Sequence, residues 1–172
     1  MKKIAISNNS NNELVQNLIG RMLKNNIEAC LFNKLSDIVG QTFDLIILYD
    51  YNKPLPSEFE SSTVINIHPS LLPAFEGENA IANAFLSGVK VSGITINDTT
   101  GRIIAQYPVM ISNLMHLDEF EEKMHSTELK FVPVVIEKLL ENKAFDYNDL
   151  FKTEPNQPKC GGCGHCGGNC NH

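Results

Sequence analysis

The run FDLIILY, Phe43 to Tyr49, is apolar almost without interruption. A strand with one wet face alternates apolar and polar residues, whereas a parallel strand buried on both faces does not. Such a strand commits the chain to a sheet covered on both sides. The flanking pattern agrees. Lys3 to Ser7, Glu28 to Phe32 and Val64 to Ile67 are further short strand candidates. Between the first two, Leu14, Leu18, Met22 and Leu23 fall at helical spacing, and Ser10-x-x-Glu13 offers a capping box. Strands alternating with helices predict an α/β domain with a mostly parallel sheet flanked by helices.

The second half continues with a helix over Ala80 to Leu86 that ends at Gly88, and with strands over Ser92 to Asn97 and Arg102 to Tyr107. A long helix from about Asp118 to Asn142 places Phe120, Met124, Phe131, Val135 and Leu139 in the core, and Pro133 is expected to kink or break it. The chain therefore divides into an α/β domain over 1–145, a polar linker over 146–159 and a Cys/His/Gly-rich tail over 160–172.

Composition excludes several function classes. With 42% hydrophobic residues and no apolar run long enough to span a bilayer, no membrane association is expected. The apolar stretch after Met1-Lys2-Lys3 is too short for a signal peptide and reads as a first strand. A net charge of −6 gives no basic footprint for nucleic acid. Cys30 stands alone in the domain while the other cysteines crowd the tail, which is not a secreted disulfide framework and points to the cytoplasm. Oligomeric state is not written in this pattern.

The stretch INIHPSLLPAFEG, Ile65 to Gly77, carries the chemistry. Small-molecule sites of parallel sheets lie beyond the carboxyl ends of the strands. There Asn66 offers amide N–H donors and His68 a second donor when protonated. Together they suit an oxygen that becomes negative during attack on a carbonyl, and His68 also suits general acid or base work. Pro69 and Pro73 stiffen the loop that carries them. An Asn-x-His at a strand end is also a common satisfied turn.

The wider pattern resembles one family. NIHPSLLPAFEG is similar to the active-site segment of the glycinamide ribonucleotide formyltransferase family, the formyl-tetrahydrofolate-dependent transferases. In phase with it, SGITIN and GRIIAQYPV resemble the family's next two strands, and LKFVPVVIEKL its late helix, proline included. Upstream, IAISNNSNNELVQNLI resembles its first strand and phosphate loop, and FDLIILYDYNKPLP the strand leading to the folate pocket. The resemblance covers roughly residues 1–145 and implies a Rossmann-like formyltransferase fold. It implies transfer of a formyl group from formyl-tetrahydrofolate to a small-molecule amine, with Asn66 and His68 as the catalytic pair. It also implies ligand contacts from Ser10 or Asn11 in the phosphate loop, from Asp50 and Tyr51, and from Asn97 and Thr99.

The chain departs from the family at one catalytic position. The family's third member is an Asp that pairs with the His, and Thr99 stands there when the turn is aligned on Gly101. Asn97 replaces a family His, and the Gly93 to Gln106 connection is several residues shorter. Asp98 either reaches His68 in a rebuilt turn, as a third catalytic residue, or serves as an Asx-turn residue. The missing Asp leaves a second reading open, a binding or regulatory protein whose chemistry has lapsed.

The tail supports a third reading, a metal-binding or redox protein. Cys160, Cys163, Cys166 and Cys170 have the spacing C-x2-C-x2-C-x3-C, close to an iron-sulfur run, and His165 and His172 make the segment acceptable to zinc as well. A tail without metal, carrying adventitious thiols, is the alternative.

Overall fold

The computed structural model describes residues 1–7, 12–59 and 62–141. Among the described residues six strands form one sheet: β1 (Lys3–Ser7), β2 (Glu28–Phe32), β3 (Leu45–Tyr49), β4 (Val64–His68), β5 (Val91–Asp98) and β6 (Ile103–Met110). Their order is β2-β1-β3-β4-β5-β6. The first four strands are parallel; β5 and β6 run antiparallel to their neighbours. The α-helices of the described residues are α1 (Asn12–Lys24), α2 (Ala80–Leu86) and α3 (Leu117–Leu140). Among the described residues no helix is long and apolar enough to cross a membrane.

The strand period of two explains why β3 reads as one apolar block. Leu45 and Ile47 face the larger core with Ile4, Ile6, Ile65 and Ile67, beneath α1 and α3. Ile46 and Leu48 face the other side with Ala5, Ile38, Phe59 and Val64. That second face is covered by short 3-10 turns at Leu35–Asp37 and Ser57–Phe59 and by loop residues such as Tyr51 and Leu55.

Two details differ from the sequence reading. Leu23 is 61% exposed, since it lies half a turn round from Leu14, Leu18 and Met22; Val15 takes the core position. Pro133 neither breaks nor ends α3, and its ring is buried with Val132, Val135 and Ile136. Packing against the sheet on both sides of the proline outweighs one lost backbone hydrogen bond.

Candidate active site

The site forms where β4 stops. Asn66 and His68 are two apart on one strand, so both side chains emerge on the same face. The antiparallel register sets Asn97 opposite Asn66 and Thr95 opposite His68. Four polar residues thus share one patch at the carboxyl end of the parallel strands. A cavity of about 580 Å³ opens there, lined by Tyr51, Asn66, His68, Leu72, Glu76 and Asn97 among others. That volume lies within the range that takes a small ligand.

The loop beyond His68 is tied down by side chains rather than by prolines alone. Ser70 Oγ donates to the Ala74 carbonyl at 2.6 Å. Fully buried Thr95 donates to the Ser70 carbonyl at 2.7 Å and accepts from the Leu72 N–H at 2.9 Å. Gln106, the β6 neighbour of Thr95, donates from Nε2 to the Leu72 carbonyl at 2.9 Å. Leu72 and Pro73 are joined by a cis peptide bond. Nothing in the sequence marks Thr95 and Gln106 as more than strand residues; only the cross-strand pairing reveals that they hold the loop after His68.

Asn66 is anchored to the backbone of Tyr51: its Nδ2 donates to the Tyr51 carbonyl at 3.1 Å, and its Oδ1 accepts from the Tyr51 N–H at 3.0 Å. An amide nitrogen carries two hydrogens, so one remains for a ligand oxygen. The same pair of bonds fixes the plane of the amide.

His68 is only 3% exposed. Its Nε2 lies 3.1 Å from the Phe75 carbonyl and its Nδ1 lies 3.2 Å from Asp50 Oδ1. The second contact is ionic rather than a well-aligned hydrogen bond, and the buried Asp50 Oδ1 has no other partner among the described residues. Burial by itself lowers the imidazole pKa. Asp50 at one nitrogen and the Phe75 carbonyl at the other, with the charges of Asp50 and Glu76, outweigh it, and the pKa is raised. The pairing therefore adds stability that is fully present below the ordinary histidine pKa. It is lost as pH rises through the raised one.

Asp98 does not reach His68. It stands opposite Ile65, three residues along the ladder, roughly 10 Å from the His68 position. Its Oδ1 accepts from Thr100 N–H at 2.9 Å, Thr100 Oγ1 at 2.6 Å and Arg102 N–H at 3.0 Å; its Oδ2 pairs with Arg102 Nε at 2.9 Å. Burial is the largest single influence and raises its pKa, but the bonds to Thr100 and Arg102 together outweigh it and lower it overall. Asp98 is the Asx-turn residue of the β5–β6 connection, so the alternative in which it pairs with His68 is not the one observed. Thr99 is exposed at the tip of that turn and is not among the cavity's lining residues.

Of the expected ligand contacts, Tyr51 and Asn97 line the cavity. Asn97 Nδ2 donates to the Asp98 carbonyl at 3.0 Å, while its Oδ1 is buried and has no partner among the described residues. Asp50 turns its carboxylate to His68 instead of lining this cavity. Glu76 lines it, and its role was not foreseen from the sequence. Ser10, Asn11, the linker over 146–159 and the tail ligands Cys160, Cys163, His165, Cys166 and Cys170 lie outside the described residues. Among those described, no cluster of His, Cys, Asp or Glu is placed to hold a metal ion.

Residues 4–136 match the protein family described as Formyl transferase, and this decides the assignment. The chain belongs to the formyl transferase family. It is 48% identical over 82 residues to the phosphoribosylglycinamide formyltransferase of Bacillus subtilis, an alignment of 45% of this chain and 42% of that protein. It is 33% identical over 112 residues to formyltetrahydrofolate deformylase 2, mitochondrial, of Arabidopsis thaliana, covering 60% of this chain and 34% of that one. The chain thus aligns with less than half the length of either relative. The crystal structure of phosphoribosylglycinamide formyltransferase from Bacillus halodurans superimposes with a TM-score of 0.67 at 25% identity, over 84% of this chain and all of that one. The expected Rossmann-like formyltransferase fold is therefore the observed one.

Proposed function

We propose that this chain transfers a formyl group from formyl-tetrahydrofolate to a small-molecule amine. The observation that carries the reading is the placement of Asn66 and His68 side by side in the lining of one cavity at the end of β4. Formyl-tetrahydrofolate supplies the activated formyl group. The cavity has room for a ring system. Asn66 donates its second amide hydrogen to the formyl oxygen as the amine attacks the formyl carbon. His68 contributes positive charge and, in exchange for its contact with Phe75, the Nε2–H. The new carbon–nitrogen bond gives a tetrahedral adduct; the proton lost by the acceptor nitrogen passes through water to the folate nitrogen, whose bond to the formyl carbon then breaks.

The lining also bears on the acceptor. Glu76 contributes a negative charge, and among the described residues no lysine or arginine lines this cavity. A neutral or cationic amine fits such a wall better than a phosphate ester does. The test is incubation of purified protein with formyl-tetrahydrofolate and a panel of amines that includes phosphoribosylglycinamide, with His68→Ala as control. Product is expected with at least one amine and a loss of about 10²- to 10⁴-fold in the control. Absence of folate binding by calorimetry would sink the reading.

For the tail we infer a zinc or iron-sulfur site from the spacing of Cys160, Cys163, Cys166 and Cys170 with His165. Protein purified without oxygen should contain zinc and be colourless, or contain iron and absorb in the visible. A metal-free preparation excludes both. The clustering of cysteines likewise supports a cytoplasmic setting.

A further inference from the structure

The carboxylate that pairs with His68 comes from a neighbouring parallel strand. β3 and β4 are in register at Tyr49 and Ile67, so the next residue on each is Asp50 and His68. The Asp50 N–H donates to the Ile67 carbonyl at 2.7 Å, extending the ladder to the edge of the site. The backbone then takes a left-handed φ of 47°, a conformation that Asp and Asn tolerate better than most residues. Oδ1 comes to rest, buried, 3.2 Å from His68 Nδ1.

We infer that Asp50 is the positioning carboxylate of this site, holding the His68 ring through Nδ1–H in the place of a carboxylate on the β5–β6 turn. Three observations carry this. Asp98, the acid nearest to the turn position, is committed to Thr100 and Arg102. Thr99 has no carboxylate. Both ring nitrogens of His68 face acceptors, Asp50 and the Phe75 carbonyl, and only the doubly protonated ring satisfies both. The charged groups acting on the ring are Asp50 at the end of β3 and Glu76 in the loop after β4; β5 places neutral Thr95 opposite it. Asp50 touches the ring rather than the cavity, so it acts through His68.

The proposal rests on the formyl-transfer reading for its kinetic consequence but not for its structural one, and the experiment separates the two. Nitrogen-15 chemical shifts of the His68 ring are followed against pH in wild type, Asp50→Asn, Asp50→Glu and Asp98→Asn, with the resonance assigned by its absence in His68→Gln. Asparagine keeps the left-handed backbone, so the fold is expected to persist; Asp50→Gly is the second variant should it not. In Asp50→Asn and Asp50→Gly the His68 midpoint should fall below that of wild type; Asp50→Glu should recover part of the difference, and Asp98→Asn should leave it in place. Formyl transfer falls as pH rises through the His68 midpoint, so Asp50→Asn moves that falling limb to lower pH. Turnover above neutral pH should fall about tenfold or more, with the KM for folate little changed. An unchanged His68 midpoint in folded Asp50→Asn overturns the proposal whether or not any amine is formylated. A lowered midpoint in a protein that formylates nothing upholds the pairing and removes only the reaction assigned to it.

Discussion

Asn66→Asp is expected to slow formyl transfer by about 10²- to 10³-fold, the loss typical of removing one oxyanion donor. The substitution keeps the shape of the side chain and deletes its two donors. Oδ1 still accepts from the Tyr51 N–H, as it does now at 3.0 Å, so the loop after β3 keeps one of its two ties. The other tie is lost and a carboxylate oxygen then faces the Tyr51 carbonyl, at a cost of roughly 1–3 kcal/mol in stability. The catalytic cost is larger because a carboxylate stands where negative charge must grow. The loss should appear in kcat, with folate affinity by calorimetry nearly preserved, because the donor matters most when the oxygen is charged. Turnover within a few-fold of wild type would remove Asn66 from the machinery.

How far this site was legible in the sequence depended on which contacts are local. Asn66 and His68 could be read because strand-end position and i, i+2 spacing are properties of one segment. The partner of His68 could not. Asp50 and His68 meet because β3 and β4 pair with Tyr49 beside Ile67, and parallel register is not recorded in either strand alone. Sequence proximity to the family's Asp position favoured Asp98, but one segment cannot show that Arg102 and Thr100 claim its oxygens first. Thr95 and Gln106 were invisible for the same reason, since their task exists only across β5, β6 and the loop at 70–72. The apolar strands, by contrast, were legible almost to their ends, because a buried parallel strand advertises itself by composition. The break offered by Pro133 does not occur, because tertiary packing carries α3 through it.

The β5–β6 pair that supports this loop depends on a single glycine. Gly93 faces Pro108 in the ladder, and a Cβ there would collide with the Tyr107 carbonyl oxygen and lie 2.9 Å from Leu71 Cδ2. The backbone carbonyl is the neighbour that does not give way easily. The Tyr107 ring is buried and stacked on Phe131 at 4.3 Å, and Leu71 belongs to the loop held by Thr95 and Gln106. In Gly93→Ala the strands must part at that point, and the strain passes to the segment that seats His68. We expect a loss of about 3 kcal/mol, or roughly 10 °C in Tm for a chain of this size, together with reduced turnover in the protein that remains folded. Gly20 supplies the contrast: it lies within α1 with open space where a Cβ would go. Gly20→Ala should raise stability by up to about 1 kcal/mol through helix propensity alone. The two substitutions add the same methyl group, and paired thermal melts should give opposite signs. A Gly93→Ala protein as stable as wild type would mean that β5 and β6 do not approach as closely as described, and the support assigned to Thr95 and Gln106 would fall with it.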